Sequence, residues 1–235
     1  MQRNFSVVPL KPLRLPRITS SDMSAPEHQV EPPLRLQELQ DTRLFNSQPL
    51  KSVILWCSGS MSLKHWRTSF EFNNTQQLSS EALPAQTLLR PGVYGGISAD
   101  MFQPAVHEYH TPDNDQDNNL YGTLSISARL SHLLFSSRKD IFARRLDFKV
   151  AVTVKDVLEL IIGQQRQYYR FNPLGSGCLY WQLLLLEAFV ANGWIAKEQL
   201  DAVKLDIATY AAGLGNRSVP YPPVRGTFYS PPRRR

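Results

Sequence analysis

His65-Trp66-Arg67-Thr68-Ser69-Phe70-Glu71-Phe72 alternates strictly between two kinds of side chain. Trp66, Thr68, Phe70 and Phe72 fall on one face, and His65, Arg67, Ser69 and Glu71 on the other. A period of two predicts a half-buried strand with an apolar side against a core and a polar side left over. Upstream, Lys51-Ser52-Val53-Ile54-Leu55-Trp56-Cys57 reads as a more deeply buried strand, closed by Ser58-Gly59-Ser60. Downstream, Tyr94-Gly95-Gly96-Ile97-Ser98-Ala99-Asp100-Met101-Phe102 fits an antiparallel partner, with Ile97, Ala99 and Met101 on one face and Ser98 and Asp100 on the other.

Residues 121–134 and 141–150 both look extended, the second with Phe142, Leu146, Phe148 and Val150 on one face. Thr153 is the expected N-cap of a helix over 154–165, and Asp156 completes a capping box. Residues 168–171 read as a short strand, 178–192 as a helix ended by Gly193, and about 197–212 as a last helix ended by Gly213. Strands, helix, strand, helix, helix is the order of an α+β domain, an antiparallel sheet packed against helices. No internal repeat is evident.

The proline-rich stretch 1–49 and the proline- and arginine-rich stretch 215–235 are expected to be disordered tails around one folded unit over residues 50–214. The net charge of +6 owes much to Arg3, Lys11, Arg14 and Arg17 at one end and Arg233, Arg234 and Arg235 at the other. It therefore does not imply a specific nucleic-acid surface. The tails offer protein partners a proline/arginine-rich handle. Two cysteines, Cys57 and Cys178, exclude a disulfide framework and a cysteine zinc site. No apolar run is long enough to span a membrane, and the first residues lack the apolar core of a secretory leader. Cytoplasm is the expected compartment. No motif implies a cofactor or a metal.

Chemistry points to Tyr168-Tyr169-Arg170-Phe171-Asn172-Pro173-Leu174-Gly175-Ser176-Gly177-Cys178-Leu179-Tyr180-Trp181, where an aromatic strand and a Gly/Ser/Pro loop deliver a cysteine to a helix start. Unpaired N–H groups and the helix dipole favour a thiolate there. A thiol nucleophile needs a base, and the base an orienter. Of five histidines, His28 lies in the head, and His107 and His110 sit beside an acidic loop at a spacing that sometimes binds a metal, with a solvated loop the favoured reading because no third ligand is evident. His132 sits in an apolar stretch and reads as a core or rim residue. His65 opens a strand on its polar face. If its strand pairs with the one bearing Asp100, the two share a face, giving Cys178 as nucleophile, His65 as base and Asp100 as orienter. The alternative stands beside it: Cys178 as a small buried hydrophobe, His65 satisfied by a backbone carbonyl, and Asp100 capping a turn.

Four motifs together resemble an uncharacterised family of fungal proteins classed under a domain of unknown function. They are His65-Trp66, Asp100-Met101, Thr153-Val154-Lys155-Asp156 and Gly175-Ser176-Gly177-Cys178-Leu179-Tyr180-Trp181. That likeness covers about residues 50–200 and implies a shared fold without an activity. Leu179 departs from it, because the family pattern has an arginine after the cysteine. The order of a His strand, a polar strand and a Cys at a later helix start is also similar to circularly permuted papain-like thiol hydrolases and acyltransferases, the NlpC/P60-like and lecithin:retinol acyltransferase-like groups. That similarity implies a permuted papain-like arrangement and the roles named above for Cys178, His65 and Asp100. The expected function is a cysteine-dependent hydrolase or acyltransferase acting on an amide, ester or thioester. The alternatives are a non-catalytic binding or scaffold protein, or a protein of fungal secondary metabolism that uses the pocket without covalent chemistry.

Overall fold

In a computed structural model, residues 32–58, 64–103, 120–135, 142–172, 177–214 and 219–230 are described. The alternation in and around His65–Phe72 produces a five-stranded antiparallel sheet. Its strands are β1 (Leu50–Ser58), β2 (His65–Leu78), β3 (Gly92–Phe102), β4 (Thr123–Leu130) and β5 (Ala143–Asp147), in the order β4-β3-β2-β1-β5. Around it stand α1 (Leu36–Thr42), α2 (Val154–Gly163), α3 (Cys178–Ala191) and α4 (Lys197–Gly213). A two-stranded ribbon pairs β6 (Tyr169–Arg170) with β7 (Thr227–Phe228). The protein is thus α+β, an antiparallel sheet with helices. No helix among the described residues is long and apolar enough to cross a membrane.

The two faces of β2 meet different surroundings. On the apolar face, Phe70 packs edge-on to Phe189 of α3 with ring centres 5.8 Å apart, and Trp66 lies 5.2 Å from Phe142. Phe142 in turn contacts Tyr210 of α4 at 5.4 Å. α3 is buried along most of its length, from Leu179 and Trp181 to Phe189, as an all-round apolar helix must be. On the opposite face, Trp56 Nε1 donates to Ser69 Oγ at 3.0 Å and Ser69 Oγ donates to the Leu134 carbonyl at 2.6 Å. Ile54, Trp56 and Leu134 form a second, smaller apolar cluster there. The rest of that face is polar.

α2 begins as its sequence demands. Thr153 Oγ1 accepts from the Asp156 amide at 3.3 Å, and Asp156 Oδ2 accepts from the Thr153 amide at 2.8 Å. The extended stretches expected over 121–134 and 141–150 are shorter. β4 ends at Leu130 and a 3-10 turn follows at Ser131–Leu133. That turn presses onto Gly95 and Gly96, where an added Cβ would lie 2.8 Å from Ser131 Cα and 2.7 Å from Leu134 Cδ1. Only a side chain of hydrogen lets Leu134 reach the sheet. His132 is exposed on this turn, not a core residue.

The packed chain also extends past the boundaries at 50 and 214. Leu39 on α1 is buried, and Phe45 stacks between Phe72 at 5.5 Å and Tyr94 at 5.3 Å. Thr42 Oγ1 donates to the Ile126 carbonyl of β4 at 2.9 Å. At the other end, Val219 is buried and Tyr229 wedges edge-on between Tyr121 at 4.9 Å and Tyr168 at 5.5 Å. Proline-rich composition suggested tails, but a few aromatic and aliphatic anchors suffice to dock such segments on a preformed sheet.

Candidate active site

His65 is the first residue of β2, and Asp100 is the ninth of β3. Thr68 pairs with Ala99 and Ser69 with Ser98, so odd-numbered positions of β2 share a face with even-numbered positions of β3. His65, Arg67 and Asp100 consequently project from the polar face. His65 Nε2 donates to Asp100 Oδ1 at 2.5 Å, and Arg67 Nε donates to Asp100 Oδ2 at 2.7 Å. Each carboxylate oxygen thus has its own cationic partner. Behind them, Arg67 Nη1 reaches Ser58 Oγ at 3.5 Å, and its guanidinium lies over the Trp56 ring at 5.5 Å.

Cys178 starts α3, close enough to the imidazole of His65 for its sulfur to help raise the histidine's pKa. The three residues singled out from the sequence therefore form one chain of contacts, Cys178 to His65 to Asp100. His28, His107 and His110 lie outside the described residues.

The electrostatics follow from this chain. Burial opposes charge on the imidazole, but hydrogen bonds to Asp100 and Cys178, with their charges, outweigh it and raise the His65 pKa to about 9. Burial likewise pushes the Asp100 carboxyl up, yet His65 and Arg67 together hold it below the usual carboxylate range. The side chains of His65 and Asp100 remain 26% and 17% exposed, so the pair sits at the rim of the fold, open to solvent on one side. Cys57 contrasts with Cys178. It is fully buried on the apolar face of β1, and burial pushes its thiol up.

Two devices set the position of Cys178. Its helix start follows Gly177, whose φ of +138° is one that L side chains rarely adopt. Tyr169 Oη donates to the Gly177 carbonyl at 2.9 Å and accepts from the Gly226 amide at 3.1 Å. One turn further along α3, the fully buried Gln182 accepts from Thr68 Oγ1 at 2.5 Å and donates to the carbonyls of Trp66 at 3.3 Å and Ala99 at 3.4 Å. A single amide thereby ties the cysteine's helix to both strands that carry His65 and Asp100. No side chain caps α3, so the first amides of the helix, beside the sulfur, are not consumed by a cap.

Arg67, Tyr169 and Gln182 were not singled out from the sequence as site residues. Arg67 carried a usable signal, because it lies two residues from His65 on the same strand face. Gln182 carried one also, as the sole amide in an apolar helix at i+4 from the cysteine.

Among the described residues, no group of three His, Cys, Asp or Glu side chains is placed to hold a metal ion. No curated protein and no solved structure matches the chain. The model of one family does match, over residues 110–229, a span that includes Cys178 and begins after His65 and Asp100. The chain belongs to that family, the domain of unknown function DUF7770.

Proposed function

We propose that this protein is a cysteine-dependent hydrolase or acyltransferase acting on an amide, ester or thioester. The observation that carries the proposal is that Cys178, at the start of a helix, sits beside His65, which is hydrogen-bonded in turn to Asp100. The chain order of His strand, Asp strand and Cys helix supports a circularly permuted papain-like arrangement, and two free cysteines suit a reducing compartment such as the cytoplasm.

In the proposed reaction the proton of Cys178 rests on Nδ1 of His65, the ring nitrogen that Asp100 leaves available, because the raised pKa of that imidazole keeps it charged at neutral pH. Asp100 stays ionised and stabilises the imidazolium, and Arg67 holds the far oxygen of Asp100 so that the carboxylate cannot rotate. The thiolate attacks the substrate carbonyl carbon, forming an S–C bond and moving the carbonyl π pair onto oxygen. The amides at the start of α3 face that oxyanion. Collapse expels the leaving group, which takes the proton from His65. Water or an acceptor nucleophile then attacks the thioester, gives its proton to His65, and the acyl group departs as the thiolate is regenerated.

Alkylation by iodoacetamide tests this reading. At pH 7, Cys178 should label at least about tenfold faster than a free thiol such as glutathione, and His65→Ala should remove the advantage. Labelling at the rate of a free thiol, with no effect of His65→Ala, would overturn the reading and leave a non-catalytic binding protein.

A further inference from the structure

The polar sheet face next to this chain carries a guanidinium that the proposed reaction does not use. Ser98 pairs with Ser127 and Gly96 with Arg129 across β3 and β4, and Asp100 pairs with Ser125. Arg129 therefore rises from the same face as Asp100 and Arg67. Its Nε is buried and has no hydrogen-bond partner among the described residues. Burial works against its charge, Arg67 repels it, and Asp100 and Glu38 attract it without a hydrogen bond to its Nε. Both of those carboxylates are engaged elsewhere. Asp100 is held by His65 and Arg67, and Glu38 accepts from Ser125 Oγ and from Arg35 Nη1.

A half-buried guanidinium set beside another cation, with no partner on its buried Nε–H, gains from an anion that completes it. Planar carboxylates suit such a fork best, because two parallel N–H···O bonds form at once. On the reading that Cys178 is a nucleophile, we propose that Arg129, with Arg67 behind it, docks a carboxylate carried by the substrate. The substrate class is then an acyl compound that also carries a free carboxylate, such as an N-acyl amino acid or a peptide end. Leu179 puts an aliphatic side chain after the cysteine, and that side chain is buried in the core.

Matched alkylating probes test this without knowledge of the substrate. N-iodoacetyl derivatives of ω-amino acids, with one to four methylenes before the carboxylate, are each compared with their neutral primary amides, reading alkylation of Cys178. At one spacer length the acid should react about tenfold faster than its amide, the factor expected for one charge-assisted contact. Arg129→Gln should bring that ratio to about one, and Arg129→Lys should leave it in between. Because the ratio is taken within each variant, a general change in thiol reactivity cancels. A ratio near one at every spacer in the unsubstituted protein overturns the carboxylate site, whatever the variants do. So does a preference that survives Arg129→Gln. Alkylation of both members of every pair no faster than a free thiol is a different failure, which removes the nucleophile reading and this proposal with it.

Discussion

Gln182 accepts a hydrogen bond from Thr68, two fully buried polar side chains joined across the interface between helix and sheet. Since Gln182 follows Cys178 by one turn and Thr68 follows His65 by three residues, the bond fixes the register between the sulfur and the imidazole. Apolar packing alone would tolerate a small slide of α3 along the sheet. A buried amide with three partners does not.

Replacing Gln182 with Ala should therefore lower stability and reactivity together. Leaving the Thr68 hydroxyl unpaired costs about 1–3 kcal/mol, readable as a lower urea midpoint. The rate of Cys178 alkylation should drop in the folded variant. Unchanged alkylation beside the expected loss of stability would show that Gln182 holds the fold but not the register.

The His65–Asp100 pair gives stability a pH window. The folded-state pKa of His65 is raised to about 9 from 6.5, so its contribution is complete below about pH 6.5 and fades as pH rises through 9. Asp100 is held below its ordinary value of 3.8, so its contribution is present above about pH 4 and fades only in stronger acid. Thermal unfolding of the protein and of His65→Gln should differ most between about pH 4 and 6.5, and converge above about pH 9. A difference that grew on going above pH 9 would contradict the assignment.

Tyr169 joins Gly177 and Gly226 through one hydroxyl, and burial pushes that phenol above the ordinary tyrosine range. It stays neutral and keeps its proton for Gly177. Tyr169→Phe should cost about 1–3 kcal/mol, as for a buried donor and acceptor left unmet. Gly226→Ala should be at least as harmful, because its Cβ would stand 2.3 Å from Tyr169 Oη and 2.5 Å from the Arg170 carbonyl. Limited proteolysis should then cleave the 219–230 segment in both variants. A resistant segment in both would show that other contacts retain it.

The two thiols should separate cleanly. Titration with a chromogenic disulfide at neutral pH is expected to count one fast thiol, Cys178, while buried Cys57 reacts only in denaturant. Two fast thiols in the folded protein would mean that Cys57 is accessible through motion of α4, whose Tyr210 hydroxyl lies 3.9 Å from its sulfur.

What the sequence disclosed depended on how local each signal was. Strand parity is local, so alternation put His65 and Asp100 each on the polar face of its own strand; that the two strands pair came from the structure. The cap at Thr153 is local for the same reason, and Gly177-Cys178 marked a helix start. Arg67 looked like solvated surface because its partner, Asp100, lies 33 residues away in the chain. Arg129 shares the β4 parity of Ser125 and Ser127, but the pairing with β3 that sets this face beside Asp100 is not local. α1 and the 219–230 segment were missed because their order comes from distant anchors. Leu39 and Phe45 find a core built by other elements, and Tyr229 finds Tyr121 and Tyr168. Composition reports what a segment can do alone, which for these two is little.

The two-sidedness of β2 reaches into genetics. In a saturation scan, tolerance along residues 65–72 should oscillate with a period of two, broken at the fully buried Ser69. Changes at Trp66, Thr68 and Phe70 should deplete the protein from the cell, with Phe70→Ala costing about 3–5 kcal/mol. Changes at half-buried His65 and Arg67 should lower abundance less than changes on the apolar face and should silence the phenotype. A short run of neighbouring codons would then divide, letter by letter, into alleles that lose the molecule and alleles that keep it idle.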